Sequence, residues 1–126
     1  MTTRIFVCVS CRQDGEEDDA VATPGQALLK VIESRLQSDG RTEVRVAAVE
    51  CLAVCKRPCT VALCGADKWM YLIGDIDPEV HADEVVAAAL SFAASDNGIV
   101  PWRQRPPSFR KGVIARVAPM NHEELP

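Results

Sequence analysis

The sequence predicts an α/β fold of order β-α-β-β-β-α, a small central mixed sheet with helices packed on it. Three observations predict it. Short β-branched apolar runs of strand length punctuate the first half of the chain, as at Thr3–Val9 and Val44–Ala48. Two longer segments repeat apolar residues at helical spacing between residues that start and stop helices. Gly65-Ala66-Asp67-Lys68 separates two further strand-length runs in the manner of a hairpin turn. A strand–helix–strand unit makes its two strands parallel neighbours, and the hairpin adds antiparallel strands to them.

The elements follow in order. Thr3–Val9 is the first strand, and a polar, acidic loop follows it through Gln13–Asp19. Thr23 suits an N-cap, Pro24 the first helical position and Gln26 the return arm of a capping box. Ala27, Leu28, Val31, Ile32 and Leu36 then recur on one helical face, and Asp39-Gly40 supplies the stop. Val44 and Val46 alternate with Arg45 and Ala47 in the second strand. Glu50–Cys59 reads as a cysteine-bearing connection with room for one helical turn. Thr60–Leu63 and Trp69–Ile73 form the hairpin, with Trp69 and Tyr71 as sheet packing. Asp77 and Pro78 open a second helix whose apolar set includes Val80, Val85, Val86, Ala89, Leu90 and Phe92, and Asn97-Gly98 closes it.

With 126 residues the chain is long enough for one domain with its own core. We divide it into a domain over 1–97 and a Pro/Arg-rich extension over 98–126, packed on the domain or partly disordered. Pro101, Pro106, Pro107 and Pro119 argue against packed elements there, except that Gly112–Val117 has the composition of a short strand. Trp102 and Phe109 are apolar anchors that would let the extension wrap the domain.

Composition excludes several function classes. A net charge of −4 gives no general attraction to nucleic acid or to anionic membrane surfaces. No apolar run approaches the roughly 20 residues that span a bilayer. The apolar stretch at the amino terminus is too short for a secretory signal, so a cytoplasmic setting is expected. No phosphate-cradling glycine loop and no nucleophile–base pair is visible, so nothing points to an enzyme. His81 sits at a polar helix start and His122 in the extension, and neither makes a persuasive ligand.

The cysteines carry the chemistry. Six in a chain of this size point to metal or redox work, because a reducing compartment disfavours structural disulfides. Two close pairs stand out, Cys8-Val9-Ser10-Cys11 and Cys51-Leu52-Ala53-Val54-Cys55. Parallel strands share their carboxyl ends, so the loops after the first and second strands meet at one edge of the sheet. Cys8, Cys11, Cys51 and Cys55 are therefore the candidate ligands, with Cys59 in reserve. Thiolates at these spacings suit a tetrahedral zinc ion and an iron–sulfur cluster equally, and they exclude magnesium and calcium. Cys64, at a strand end, reads as an ordinary structural thiol. Dithiol exchange at Cys8 and Cys11 is a third reading. A reactive CxxC normally opens a helix, and Arg12-Gln13-Asp14-Gly15 is a poor helix start. Lys56 and Arg57 beside the second pair would stabilise negative charge, receive an acidic partner, or simply stand in solvent.

Several of these segments resemble the thioredoxin-like [2Fe–2S] ferredoxins of the Shethna type, relatives of the small iron–sulfur subunit of respiratory complex I. Ile5-Phe6-Val7-Cys8 is similar to the strand that delivers that family's first ligand. Cys51-Leu52-Ala53-Val54-Cys55-Lys56-Arg57-Pro58 is similar to its C-L-x-x-C segment closed by proline. Thr60–Leu63, Lys68-Trp69-Met70-Tyr71 and Asp77-Pro78-Glu79 resemble its hairpin, aromatic strand and final helix start, so the likeness covers about the first 95 residues. The whole chain also resembles a family of predicted cysteine-rich metal-binding proteins of unassigned function (DUF1636-like). That family shares the doubled cysteine pattern and the Arg/Pro-rich tail. The ferredoxin resemblance implies a thioredoxin-like fold and a [2Fe–2S] cluster on Cys8, Cys51, Cys55 and a fourth cysteine. It also implies one-electron transfer with a protein redox partner, and homodimerisation. The sequence departs from the pattern at one place. The ferredoxins carry their second ligand deep in the first loop, whereas Cys11 stands three residues after Cys8 and matches in role only. Zinc or cobalt binding, for metal delivery or for structure, is the alternative, and Cys59 suits transferable coordination.

Overall fold

The structure is a computed structural model, and it describes residues 2–10, 23–40, 42–54, 56–57, 59–123 and 125. Its strands are β1 (Thr3–Cys8), β2 (Val44–Val49), β3 (Val61–Cys64), β4 (Met70–Ile73) and β5 (Val113–Val117). Its helices are α1 (Pro24–Ser38), α2 (Ala82–Ala94) and the single turn α3 (Ser108–Lys111). The strands form one five-stranded mixed sheet in the order β2-β1-β3-β4-β5. β1 and β2 are parallel, and the remaining neighbours are antiparallel. Among the described residues, no helix is long and apolar enough to cross a membrane.

Both main helices cover one face. Thr3, Ile5 and Val7 of β1 are buried there, while Arg4, pointing the other way, is exposed. Ile5 and Val7 share a single core with Leu28 and Ile32 of α1, Val85, Ala89 and Phe92 of α2, and Val61 and Ile73 of the hairpin. Helix α1 starts as its sequence dictates. The Thr23 hydroxyl accepts the Gln26 N–H at 3.1 Å, and the Gln26 side chain accepts the Thr23 N–H at 2.9 Å. It ends at Asp39, where Gly40 takes the left-handed conformation (φ 65°) that closes a helix without steric cost.

Helix α2 differs from expectation at its start. It begins at Ala82, four residues after Pro78, because Asp77 caps a separate turn. The Asp77 carboxylate accepts the Glu79 N–H at 2.9 Å, and its carbonyl accepts those of Val80 and His81 at 3.2 and 2.8 Å. The Asp77 N–H is donated back to His81 Nδ1 at 2.8 Å, which closes the turn. The helix then propagates from the His81 carbonyl, which accepts the Val85 N–H.

The carboxyl-terminal segment is more structured than its prolines suggest. A 3₁₀ turn at Trp102–Gln104 and helix α3 lead into β5, which pairs with β4 as the sheet's edge. Phe109 is buried as an anchor, but Trp102 is 58% exposed, and Val100 takes the second anchoring place. Arg105 ties the segment down. Its guanidinium lies 5.2 Å from the Tyr71 ring centre and 5.5 Å from that of Trp102. Its Nε donates to the Val100 carbonyl at 2.9 Å. Tyr71 itself is core, and its hydroxyl oxygen accepts the buried Val100 N–H at 3.1 Å. Trp69, half-buried, packs under Arg116 and edge-on to His122. Replacing Tyr71 by Phe leaves the Val100 N–H buried without its acceptor. It should cost about 1–3 kcal/mol in urea unfolding and make the 99–105 segment the first site of limited proteolysis.

Candidate metal centre

The register of β1 on β2 builds the site. Cys8 at the end of β1 lies opposite Val49 at the end of β2, so Glu50 and Cys51 emerge directly beside it. The Cys8 thiol is wholly buried and lies 3.8 Å from the Glu50 carbonyl oxygen, to which it can donate. A weaker contact of 3.9 Å joins it to the Ser10 hydroxyl. Cys51 is exposed, and its sulfur accepts the Ala53 N–H at an N···S distance of 3.1 Å. Cys8 and Cys51, distant in sequence, are thus gathered at one sheet edge. Cys11 and Cys55, the other two expected ligands, lie outside the described residues. Among the described residues, no group of three His, Cys, Asp or Glu side chains is placed to hold a metal ion. The donor set at the edge, a buried thiol beside an exposed one that already accepts an amide hydrogen bond, suits a soft metal centre.

Cys59 reaches the same end of the sheet. Its neighbour Thr60 accepts the Cys8 N–H at 3.1 Å. The Cys59 side chain, however, packs wholly buried in the hydrophobic core. Its backbone is held to Ile76 by two hydrogen bonds of 3.2 and 3.0 Å. Cys64 lies opposite Arg4, four residues back along β1 and so roughly 13 Å from Cys8. Burial pushes the Cys64 thiol above its ordinary pKa.

Three further residues position the edge, and none was singled out for that role from the sequence. The Thr23 hydroxyl donates to the Val9 carbonyl at 2.6 Å while it caps α1, so it fastens the helix to the strand end beside Cys8. At Gly25 a Cβ would overlap the Cys8 carbonyl oxygen and stand 2.9 Å from its carbonyl carbon. Only glycine lets the first turn of α1 approach this closely, and a glycine in a helix's first turn is the signal that could have revealed it. The connection after Cys51 is pinned by Arg57, whose Nε donates to the Asp75 carboxylate at 2.8 Å. The Arg57 carbonyl accepts the Asp75 N–H at 3.1 Å and the Thr60 hydroxyl at 3.0 Å. Arg57 is therefore not the solvated cation that its position in sequence allowed, whereas Lys56 is exposed.

The mixed sheet with helices packed on one face has counterparts among solved structures. The chain is similar to a thioredoxin-like [2Fe–2S] ferredoxin from Aquifex aeolicus at 19% identity and a TM-score of 0.62, over 97% of this chain and 98% of that one. A second structure of that wild-type ferredoxin matches at 20% identity and a TM-score of 0.57, over 90% and 97% of the two chains. At this identity the likeness establishes the fold, which is that of the thioredoxin-like ferredoxins. Residues 5–119 match the family described as "Protein of unknown function (DUF1636)", and the chain belongs to that family. No curated protein matches the sequence.

Two outcomes follow for the site. Gly25→Ala should lower stability by about 1–3 kcal/mol or more in thermal unfolding, because backbone rather than a movable side chain blocks the added methyl. Only the thiolate reacts with iodoacetamide, so Cys64, with its raised pKa, should be alkylated slowly at pH 8. Its rate should climb about tenfold per pH unit until the thiol ionises, as peptide mapping across a pH series would show.

Proposed function

We propose that this protein is a small ferredoxin-like electron carrier, not an enzyme, that holds a [2Fe–2S] cluster on Cys8, Cys11, Cys51 and Cys55. The observation that carries the reading is the convergence of the β1 and β2 ends, which sets the buried Cys8 thiol against the carbonyl preceding Cys51. The fold shared with [2Fe–2S] ferredoxins supports it. Such a cluster supplies one-electron oxidation and reduction. The chain's own residues divide the remaining work. Cys8, sunk at the end of a central strand, gives an anchor shielded from water. Cys51, at the surface, marks the side on which a protein redox partner docks. One electron enters from a donor protein and leaves to an acceptor, with no covalent bond made or broken. Cys11 is the fourth ligand in this reading, and Cys59, buried at the same end of the sheet, stays in reserve. A cytoplasmic setting, which keeps thiols reduced, and association of two copies belong to the same reading. The net charge of −4 leaves nucleic acid and membranes outside it.

Anaerobic purification should give brown protein with about two irons and two acid-labile sulfides per chain. Cys55→Ser should abolish the centre, and Cys59→Ser should leave metal and sulfide content unchanged. Colourless protein carrying one zinc or cobalt and no sulfide rejects the cluster in favour of a metal-delivery or structural role. Loss of the centre in Cys59→Ser would instead move Cys59 into the ligand set.

A further inference from the structure

Three non-glycine residues among those described have a left-handed backbone: Ala53 (φ 61°), Asp67 (φ 60°) and Asp75 (φ 60°). That conformation crowds Cβ against the carbonyl, and aspartate is one of the side chains that tolerates it. Asp67 lies in the turn between β3 and β4, and Asp75 holds Arg57 through its carboxylate. Alanine has no polar group to offset the strain. What its conformation achieves lies two residues back. The left-handed turn folds the chain over Cys51, and the Ala53 N–H meets the Cys51 sulfur at 3.1 Å. Strained backbone of this kind concentrates where a site must be held in one geometry.

We propose that Ala53 is a positioning residue for Cys51: its left-handed backbone anchors the Cys51 sulfur through an amide hydrogen bond and, with a cluster bound, raises that cluster's reduction potential. The tuning rests on the iron–sulfur reading above; the anchor does not. Cys51 is exposed, so water competes for its sulfur, whereas the amide is already in place and needs no reorganisation. Electron density on the ligating sulfur rises on reduction, and a fixed N–H donor therefore favours the reduced form. The side chain at position 53 touches none of this directly. Its only requirement is that the backbone can remain left-handed.

Two variants and two measurements test the proposal. Glycine adopts the left-handed region freely, and a β-branched residue does not. With cluster bound, Ala53→Gly should keep the wild-type potential in a redox titration. Ala53→Val should lower it, shifting the oxidised-to-reduced ratio at a fixed potential about tenfold, or about 59 mV for one electron. Equal potentials in the Val variant and the wild type overturn the tuning. In metal-free protein, amide hydrogen exchange at Ala53 should quicken by roughly tenfold when Cys51→Ala removes the acceptor. Unchanged exchange overturns the anchor, and this arm decides the matter even if Ala53→Val assembles no cluster. A wild-type protein without iron and sulfide overturns the tuning together with the iron–sulfur reading, while the exchange experiment still decides the anchor.

Discussion

The parallel pairing of β1 with β2 is the constraint on which the site depends. Parallel strands finish at the same edge, so the connection leaving Cys8 and the connection leaving Val49 must start side by side. The pairing requires a crossover, which α1 supplies, and α1 in turn buries Leu28, Ile32 and Leu36 on the sheet. Packing energy from the core thus holds two cysteine-bearing loops together. Cys51 itself stands exposed. A site built in this way draws its stability from the packing of the core around it.

The edge is reinforced from three directions. The first turn of α1 leans on the Cys8 carbonyl where Gly25 omits a side chain, and Thr23 ties the same turn to Val9. Arg57 and Asp75 join the second connection to the end of β4 by an ion pair and a main-chain hydrogen bond. That pair is partly exposed, so its Coulomb term is small and its value lies in fixing geometry. Ala53 adds a local fold directly over the Cys51 sulfur. Together these contacts give Cys8 a buried, carbonyl-facing environment and Cys51 an exposed, amide-bonded one.

The carboxyl-terminal segment has a different relation to the core. Gly112–Val117 has the composition of a strand, and β5 forms within it and extends the sheet, while α3 forms within the proline-spaced stretch before it. Arg105 explains much of the attachment, because one planar cation serves the Tyr71 ring, the Trp102 ring and the Val100 carbonyl. Lys68 acts at the end of α2, donating to the Phe92 and Ala93 carbonyls. The Phe92 carbonyl also accepts the Ser95 N–H at 3.1 Å, and a lysine at this end of the helix complements its dipole.

Local chemistry made much of the fold legible from residues alone. The capping box at Thr23 and Gln26, the alternation in β2, and the hairpin around Asp67 each specify their element through contacts a few residues apart. The pairing of the first two strands, and with it the meeting of Cys8 and Cys51, followed from the handedness and length of a strand–helix–strand unit. What sequence left undecided depends on partners far along the chain. Asp77 and Pro78 carry every local mark of a helix start, but the imidazole of His81 closes a turn there and delays α2 to Ala82. Arg57 reads as a solvated cation until Asp75, eighteen residues on, is brought beside it. Sequence set Cys59 in reserve as a ligand and read Cys64 as a structural thiol, and packing shows the first wholly buried at the site's end of the sheet and the second half-buried at the far end. Sequence by itself thus determined the elements and the two loops that carry the cysteines, because those rest on short-range sterics and apolar periodicity. Tertiary structure decided which thiol faces the core, which faces solvent, and which backbone amide meets sulfur, because burial and close approach exist only once distant segments share the same space.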